Sequence, residues 1–210
     1  MDFLEVNDYL ASLAEHGDPV LQEMEAEARR RRFPIIGPAA GQLCYMLARA
    51  VGAQKVFEMG SGYGYSTAWF AKAVRDNGGG TVHHVVWDDE LSAKARAYLS
   101  RMELNDCVDY AVGEAVEALR NAEGPFDIVF NDINKDGYPA SYKVLKEKLR
   151  PGGLAIVDNM LWRGRAWDEN VNDDMTRGVR EITRLLYSDP DFACSLIPIR
   201  DGLIVGWKTL

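Results

Sequence analysis

With 210 residues the chain is long enough to bury roughly 70% of its unfolded surface in one core, so it needs no disulfide staples. Hydrophobic residues make up 47% and charged residues 27%, which excludes global disorder and fibrous repeats. With 24 Lys and Arg against 32 Asp and Glu, the formal charge of -8 creates a field that repels nucleic acid and anionic membrane and favours a small-molecule substrate.

Residues Met1 to Leu10 carry Asp2, Glu5 and Asp8, the wrong charge for a signal peptide. The odd, well-separated cysteines Cys44, Cys107 and Cys194 suit reduced thiols, so the expected compartment is the cytoplasm. Residues 1–53 read as helices. One of them is predicted over Val20 to Arg32, where Glu23, Glu25 and Glu27 precede four arginines in the order a helix dipole prefers. That run, Arg29 to Arg32, reads as a solvated helix end and is the one basic cluster. The window from Phe33 to Ala53 has about the length of a membrane span, yet it contains Pro34, Pro38, Gln42 and Arg49. Its apolar residues Leu43, Met46, Leu47, Ala50 and Val51 fall on an i, i+3, i+4 stripe, which predicts an amphipathic packing helix opening after Pro38.

From Lys55 short apolar runs alternate with helical segments. Strands are predicted over Lys55 to Met59, Thr81 to Val86, Val108 to Val112, Phe126 to Asn131 and Leu154 to Asp158. The intervening Thr67 to Arg75, Glu90 to Met102, Ala115 to Asn121 and Pro139 to Leu149 have helical spacing. Crossovers of this kind imply a parallel sheet covered on both faces, a doubly wound α/β domain. Two further strands, Phe192 to Ile199 and Leu203 to Lys208, are joined through Asp201-Gly202, a hairpin signal. A doubly wound sheet that ends in an antiparallel hairpin differs from the all-parallel dinucleotide-binding dehydrogenase.

The first strand runs through Glu58 into Gly60-Ser61-Gly62-Tyr63-Gly64 and then a helix. Glycines let a backbone turn tightly and approach a ligand that a Cβ would exclude. The spacing is Gly-x-Gly-x-Gly, without the third-glycine offset of a dinucleotide loop or the Lys-Ser/Thr pair of a phosphate loop. Glu58 ahead of it could serve a cationic ligand such as an amino-acid ammonium. At the end of the fourth strand stand Asp132 and Lys135, and at the end of the fifth Asp158 and Asn159. Two carboxylates and an amide oxygen form a hard-oxygen set suited to Mg²⁺. Ordinary helix capping explains any one of these four residues well and all of them together poorly.

With these residues in place the sequence resembles the cation-dependent class I S-adenosylmethionine O-methyltransferases, the family of catechol and caffeoyl-coenzyme A O-methyltransferases and their small bacterial relatives. The resemblance runs through Ile36 to Leu43, Glu58 to Ser66, Gly113 to Ala115, Asp132 to Tyr138, Asp158 to Gly164 and Asp201 to Leu203. It implies a seven-stranded, Rossmann-like class I methyltransferase sheet with N-terminal helices, residues 1–53, on a cofactor-binding core, residues 54–210, in a single domain. It implies S-adenosylmethionine and a divalent cation such as Mg²⁺ as cofactors, and commonly a homodimer joined through the N-terminal helices. By the same resemblance Asp132, Asp158 and Asn159 are the metal ligands and Lys135 is the catalytic base. Ile36, Glu58, Gly60, Gly62, Gly64, Ser66, Gly113, Glu114, Ala115 and Asp132 belong to the cofactor site. Trp162, Arg163 and Trp167 would wall the acceptor, although packing in an ordinary loop accounts for them equally.

One departure stands at the second strand. The family usually has an acid there that binds the ribose, whereas this chain reads Val86-Trp87-Asp88. Asp88, on the same side of an extended chain, takes the contact or the contact is lost. His16, His83 and His84 show no metal spacing. Two other readings compete with a small catechol-like acceptor: methylation of a hydroxylated uridine in transfer RNA, suggested by the arginine run, and a non-catalytic cofactor- or metal-binding module, suggested by Val86.

Overall fold

The structure, a computed structural model, describes residues 3–14 and 17–209, so His16 and the first two residues lie outside it. Three helices come first: α1 (Phe3–Leu13), α2 (Pro19–Arg31) and α3 (Gly37–Ala50). Seven strands follow, β1 (Lys55–Met59), β2 (Thr81–Val86), β3 (Val108–Val112), β4 (Phe126–Asn131), β5 (Leu149–Val157), β6 (Phe192–Ile197) and β7 (Leu203–Lys208). Between them lie α4 (Tyr65–Asp76), α5 (Asp89–Arg101), α6 (Ala115–Asn121), α7 (Tyr138–Lys148) and α8 (Asp174–Ser188).

The strands form one sheet in the order β3-β2-β1-β4-β5-β7-β6. The first five are parallel and β7 runs antiparallel to both of its neighbours. Alternation along each strand sends side chains to two cores. Val56, Ile128, Phe130 and Ile156 meet α2, α3, α4 and α5 on one face. Phe57, Val129, Ala155 and Val157 meet α6, α7 and α8 on the other. Reversal of strand order between β1 and β4 splays the connections there, which opens the crevice that ligands use in such sheets. Among the described residues no helix is long and apolar enough to cross a membrane.

Four expectations change. The face of α3 that is fully buried is Ala40, Gly41, Cys44 and Ala48, whereas Met46 of the expected stripe is 58% exposed. Small residues go inward because α4 lies very close: a Cβ on Gly41 would stand 2.2 Å from the Trp69 indole. β5 begins at Leu149 instead of Leu154, and a register shift between Phe126 and Ile128 of β4 accommodates the Pro151-Gly152-Gly153 interruption. β6 stops at Ile197, ahead of Pro198, which has no N–H to give a ladder. Helix α8, absent from the sequence reading, is capped by Asp173 and buries Val179, Ile182 and Leu186.

Candidate functional site

The carboxyl ends of β1, β2, β4 and β5 converge on a cavity of about 1700 Å³. At the end of the cavity beside the glycine loop, Gly60 sits at φ +85°, and a Cβ there would stand 2.5 Å from the Asp132 carbonyl oxygen. This glycine lets the ends of β1 and β4 close on each other. Gly62 lines the cavity, but Gly64 does not: it packs against α5, where a Cβ would meet that of Ala95 at 2.8 Å. Gly64 also starts α4 without any side-chain cap. The first N–H groups of that helix, including that of cavity-lining Ser66, are therefore open to an anion such as a carboxylate.

Glu58 lies beneath the loop rather than on the cavity wall and is fully buried. Thr67 Oγ1 donates to its Oε2 and stands 2.9 Å from His84 Nδ1. The outer atoms of this chain, Glu58 Oε1 and His84 Nε2, have no hydrogen-bond partner among the described residues. Burial pushes the Glu58 carboxyl up to about 7, against the hydroxyls of Ser66, Thr67 and Ser61. Burial, helped by Arg96, pushes His84 down to about 4.

At the end of β2, Val86 is buried on the cavity wall and Trp87 is 77% exposed beside it. Asp88 reaches the cavity, but its Oδ1 caps α5 through the Leu91 N–H at 2.8 Å, leaving Oδ2 for a ligand. Glu114 spends both oxygens as the cap of α6, on the N–H groups of Val116 at 3.0 Å and Glu117 at 2.7 Å. What Gly113, Glu114 and Ala115 can offer a ligand is backbone, and a Cβ on Gly113 would find nothing within 4 Å. Ile36, just before α3, closes this end of the cavity.

The opposite end is built by register. Asn131 pairs with Val157, so the next residues, Asp132 and Asp158, leave adjacent strands side by side. Lys135 Nζ donates to Asp132 Oδ1 at 2.7 Å and to the Ile133 carbonyl at 3.0 Å, with the side chain buried against solvent. Asp158 is fully buried behind the wall; its Oδ2 accepts from Arg200 Nη1 at 2.8 Å, and its Oδ1 has no partner among the described residues. Burial, then the nearby Asp132, push its carboxyl up to about 6 against the pull of Arg200. Asn159, at φ +60°, gives its amide N–H to Asp201 at 3.3 Å, which leaves the amide oxygen for another partner. Among the described residues no three His, Cys, Asp or Glu side chains form a group that could hold a metal ion, and the Asn159 amide oxygen is the further hard-oxygen group at these strand ends. The orphaned Asp158 oxygen and the hard-oxygen chemistry of the set fit a divalent cation.

Trp162 and Arg163 both take positive φ, +47° and +53°, on the wall beside Lys135. The Trp162 indole donates to Thr176 at 3.2 Å, and Lys135 Nζ lies 6.0 Å from the ring centroid. The Arg163 N–H is held by Asp201 Oδ1 at 2.7 Å. Trp167 stands at the rim, 66% exposed. Sequence reasoning missed Asn7, Tyr138, Arg200 and Asp201. Tyr138 ties the strand ends together by donating to the Asp158 carbonyl at 2.8 Å. Asp201-Gly202 carried a signal, read as turn chemistry and as a segment of the family resemblance, with no site role given to Asp201.

Residues 12–209 match the family model described as O-methyltransferase. A catechol O-methyltransferase of Niastella koreensis is 28% identical over 88% of this chain and 85% of its own. The O-methyltransferase TomG of Streptomyces achromogenes, which acts in tomaymycin synthesis and was solved with S-adenosylmethionine, superposes with a TM-score of 0.86 at 27% identity over 98% of this chain and 96% of its own. An O-methyltransferase of Bacillus cereus solved with S-adenosylhomocysteine gives 0.87 at 26% identity, over 98% and 97% of the two chains.

Proposed function

Because this chain belongs to the O-methyltransferase family, we propose that it moves the methyl group of S-adenosylmethionine onto one hydroxyl of a vicinal aromatic diol, with a divalent cation such as Mg²⁺ at Asp132, Asp158 and Asn159. The observation that carries this reading is Lys135 Nζ, 2.7 Å from Asp132 on the cavity wall, with Asp158, one oxygen of which has no partner among the described residues, at the end of the adjacent strand. A base and a hard-oxygen cradle in one place are what deprotonation of a chelated diol requires.

The chain's own groups divide the work. The uncapped start of α4 at Ser66 holds the carboxylate of the cofactor, and Gly60 and Gly62 let it lie close to the strand end. Glu58, from beneath, favours an ammonium above the loop once its carboxyl is ionised, which burial delays to about 7. The backbone at Gly113 to Ala115, with Ile36 and Trp87, encloses the adenine. The free Oδ2 of Asp88 takes the ribose, since Val86 has no polar atom to offer. When bound, the cofactor supplies an electrophilic methyl and the cation polarises the two acceptor oxygens. Lys135 Nζ, as the uncharged amine, takes the hydroxyl proton, and Trp162 with Arg163 holds the ring flat against it. Catalysis is then a matter of alignment and water exclusion, with no protein nucleophile.

One sheet carrying helices on both faces supports a single domain over residues 1–210. The exposed Tyr9, Leu13 and Met46 on α1 and α3 support a homodimer through the N-terminal helices. The test is methyl transfer from labelled cofactor to catechol and to phenol, with Mg²⁺ or EDTA, for wild type and Lys135→Ala. Catechol is expected to turn over and phenol not, and EDTA and the substitution are each expected to lower the rate by roughly 10²-fold or more. Equal rates on both acceptors, or turnover indifferent to both EDTA and the substitution, would refute the reading.

A further inference from the structure

We infer that Arg200 is a built-in counter-ion that competes with the divalent cation for Asp158, so that the cation affinity of this chain is set by an arginine on the β6–β7 turn. The inference rests on the reading of Asp132, Asp158 and Asn159 as cation ligands.

Three observations carry it. First, the guanidinium lies 2.8 Å from Asp158 Oδ2, and Asp158 is fully buried, so the pair is shielded from water and salt on the carboxylate side. Second, the arginine is placed there deliberately. Its backbone sits at φ +52°, a region that a side chain rarely adopts unless its surroundings hold it. The hold comes from α1: Arg200 N–H donates to Asn7 Oδ1 at 2.7 Å, and Asn7 Nδ2 donates back to the Arg200 carbonyl at 3.3 Å. Third, both carboxylates that would ligate a cation already face a positive group, Asp132 facing Lys135 and Asp158 facing Arg200.

A dication entering this site meets two positive groups, Lys135, which can release a proton, and Arg200, which cannot. Lys135 is the more enclosed, its side chain 10% exposed and fastened a second time to the Ile133 carbonyl. The Arg200 side chain is 31% exposed, borders the cavity, and has a path outward while its backbone stays clamped by Asn7. Cation loading therefore either displaces Arg200 from Oδ2 or proceeds through Oδ1 alone beside a guanidinium. Both weaken binding relative to a site without the arginine.

The test is Mn²⁺ titration of the full chain followed by the electron paramagnetic resonance signal of free Mn²⁺, without cofactor or acceptor, so that turnover plays no part in the readout. Glycine suits the positive φ, and glutamine keeps the stem while removing the charge, so Arg200→Gly and Arg200→Gln are two independent neutral variants. Each is expected to bind Mn²⁺ at least tenfold more tightly than wild type, with Arg200→Lys close to wild type. Equal or weaker binding in the neutral variants overturns the inference and leaves the cation site standing. No Mn²⁺ uptake by wild type or by any variant overturns both.

Discussion

Beneath the glycine loop, Glu58 and His84 share the Thr67 hydroxyl and respond to pH in opposite senses. The folded chain keeps the Glu58 proton up to about 7, whereas an unfolded glutamate releases it near roughly 4.3. Its contribution to stability is therefore full below the lower value and is lost as pH rises through the upper one. Relative to wild type, Glu58→Gln is expected to gain stability on the order of 3 kcal/mol between those limits in urea unfolding. His84 mirrors this. Its folded value is about 4 and the unfolded one roughly 6.5, so its contribution is full above the higher value and lost as pH falls through the lower. His84→Asn should therefore gain on wild type as pH falls through that interval. A Glu58→Gln profile parallel to wild type from end to end would contradict the burial argument.

At the level of elements, α8 is the least expected contributor to the site. Gly178 on it packs so tightly that a Cβ would stand 1.9 Å from the Lys135 carbonyl oxygen. Gly178→Ala is expected to push the Lys135 segment away from Asp132, lowering turnover at least tenfold and stability by about 1–3 kcal/mol, while calorimetry finds cofactor binding unchanged. Weakened cofactor binding with intact turnover would refute that division. The strand pattern from Lys55 onward was readable because buried parallel strands are short apolar runs between helical segments, and five of the seven strands keep their expected limits. The proximity of Asp132 and Asp158 was readable for a related reason: both stand where residues leave the ends of adjacent parallel strands, the place where such sheets bind ligands. What stayed hidden depends on distance. Close approach of α3 and α4 turned the small residues inward, and nothing local in Asn7 or Arg200 announces a contact spanning 193 positions. Glu114 and Asp88 looked like ligand groups in sequence, and both also serve as helix caps.

For the molecule as a whole, charge and exposed apolar surface set the expected partners. At -8, binding of tRNA in a filter assay is expected to be undetectable at physiological salt, despite the arginines that end α2. Tight, salt-sensitive retention would move the tRNA reading ahead. Light scattering is expected to give twice 23.5 kDa for wild type and a monomer for the double variant Leu13→Glu, Met46→Glu. A monomeric wild type would remove the dimer proposal. The placement of β7 between β5 and β6 has a consequence for how the protein is made. During translation β6 emerges with no docking edge, since β7 is its partner in the sheet and must first add to β5. A stop codon before Leu203 therefore forfeits two strands, not one, and releases an unpaired β6 edge to the quality-control proteases. Variants truncated just before Leu203 should accordingly be lost as protein, with no partly active enzyme left behind.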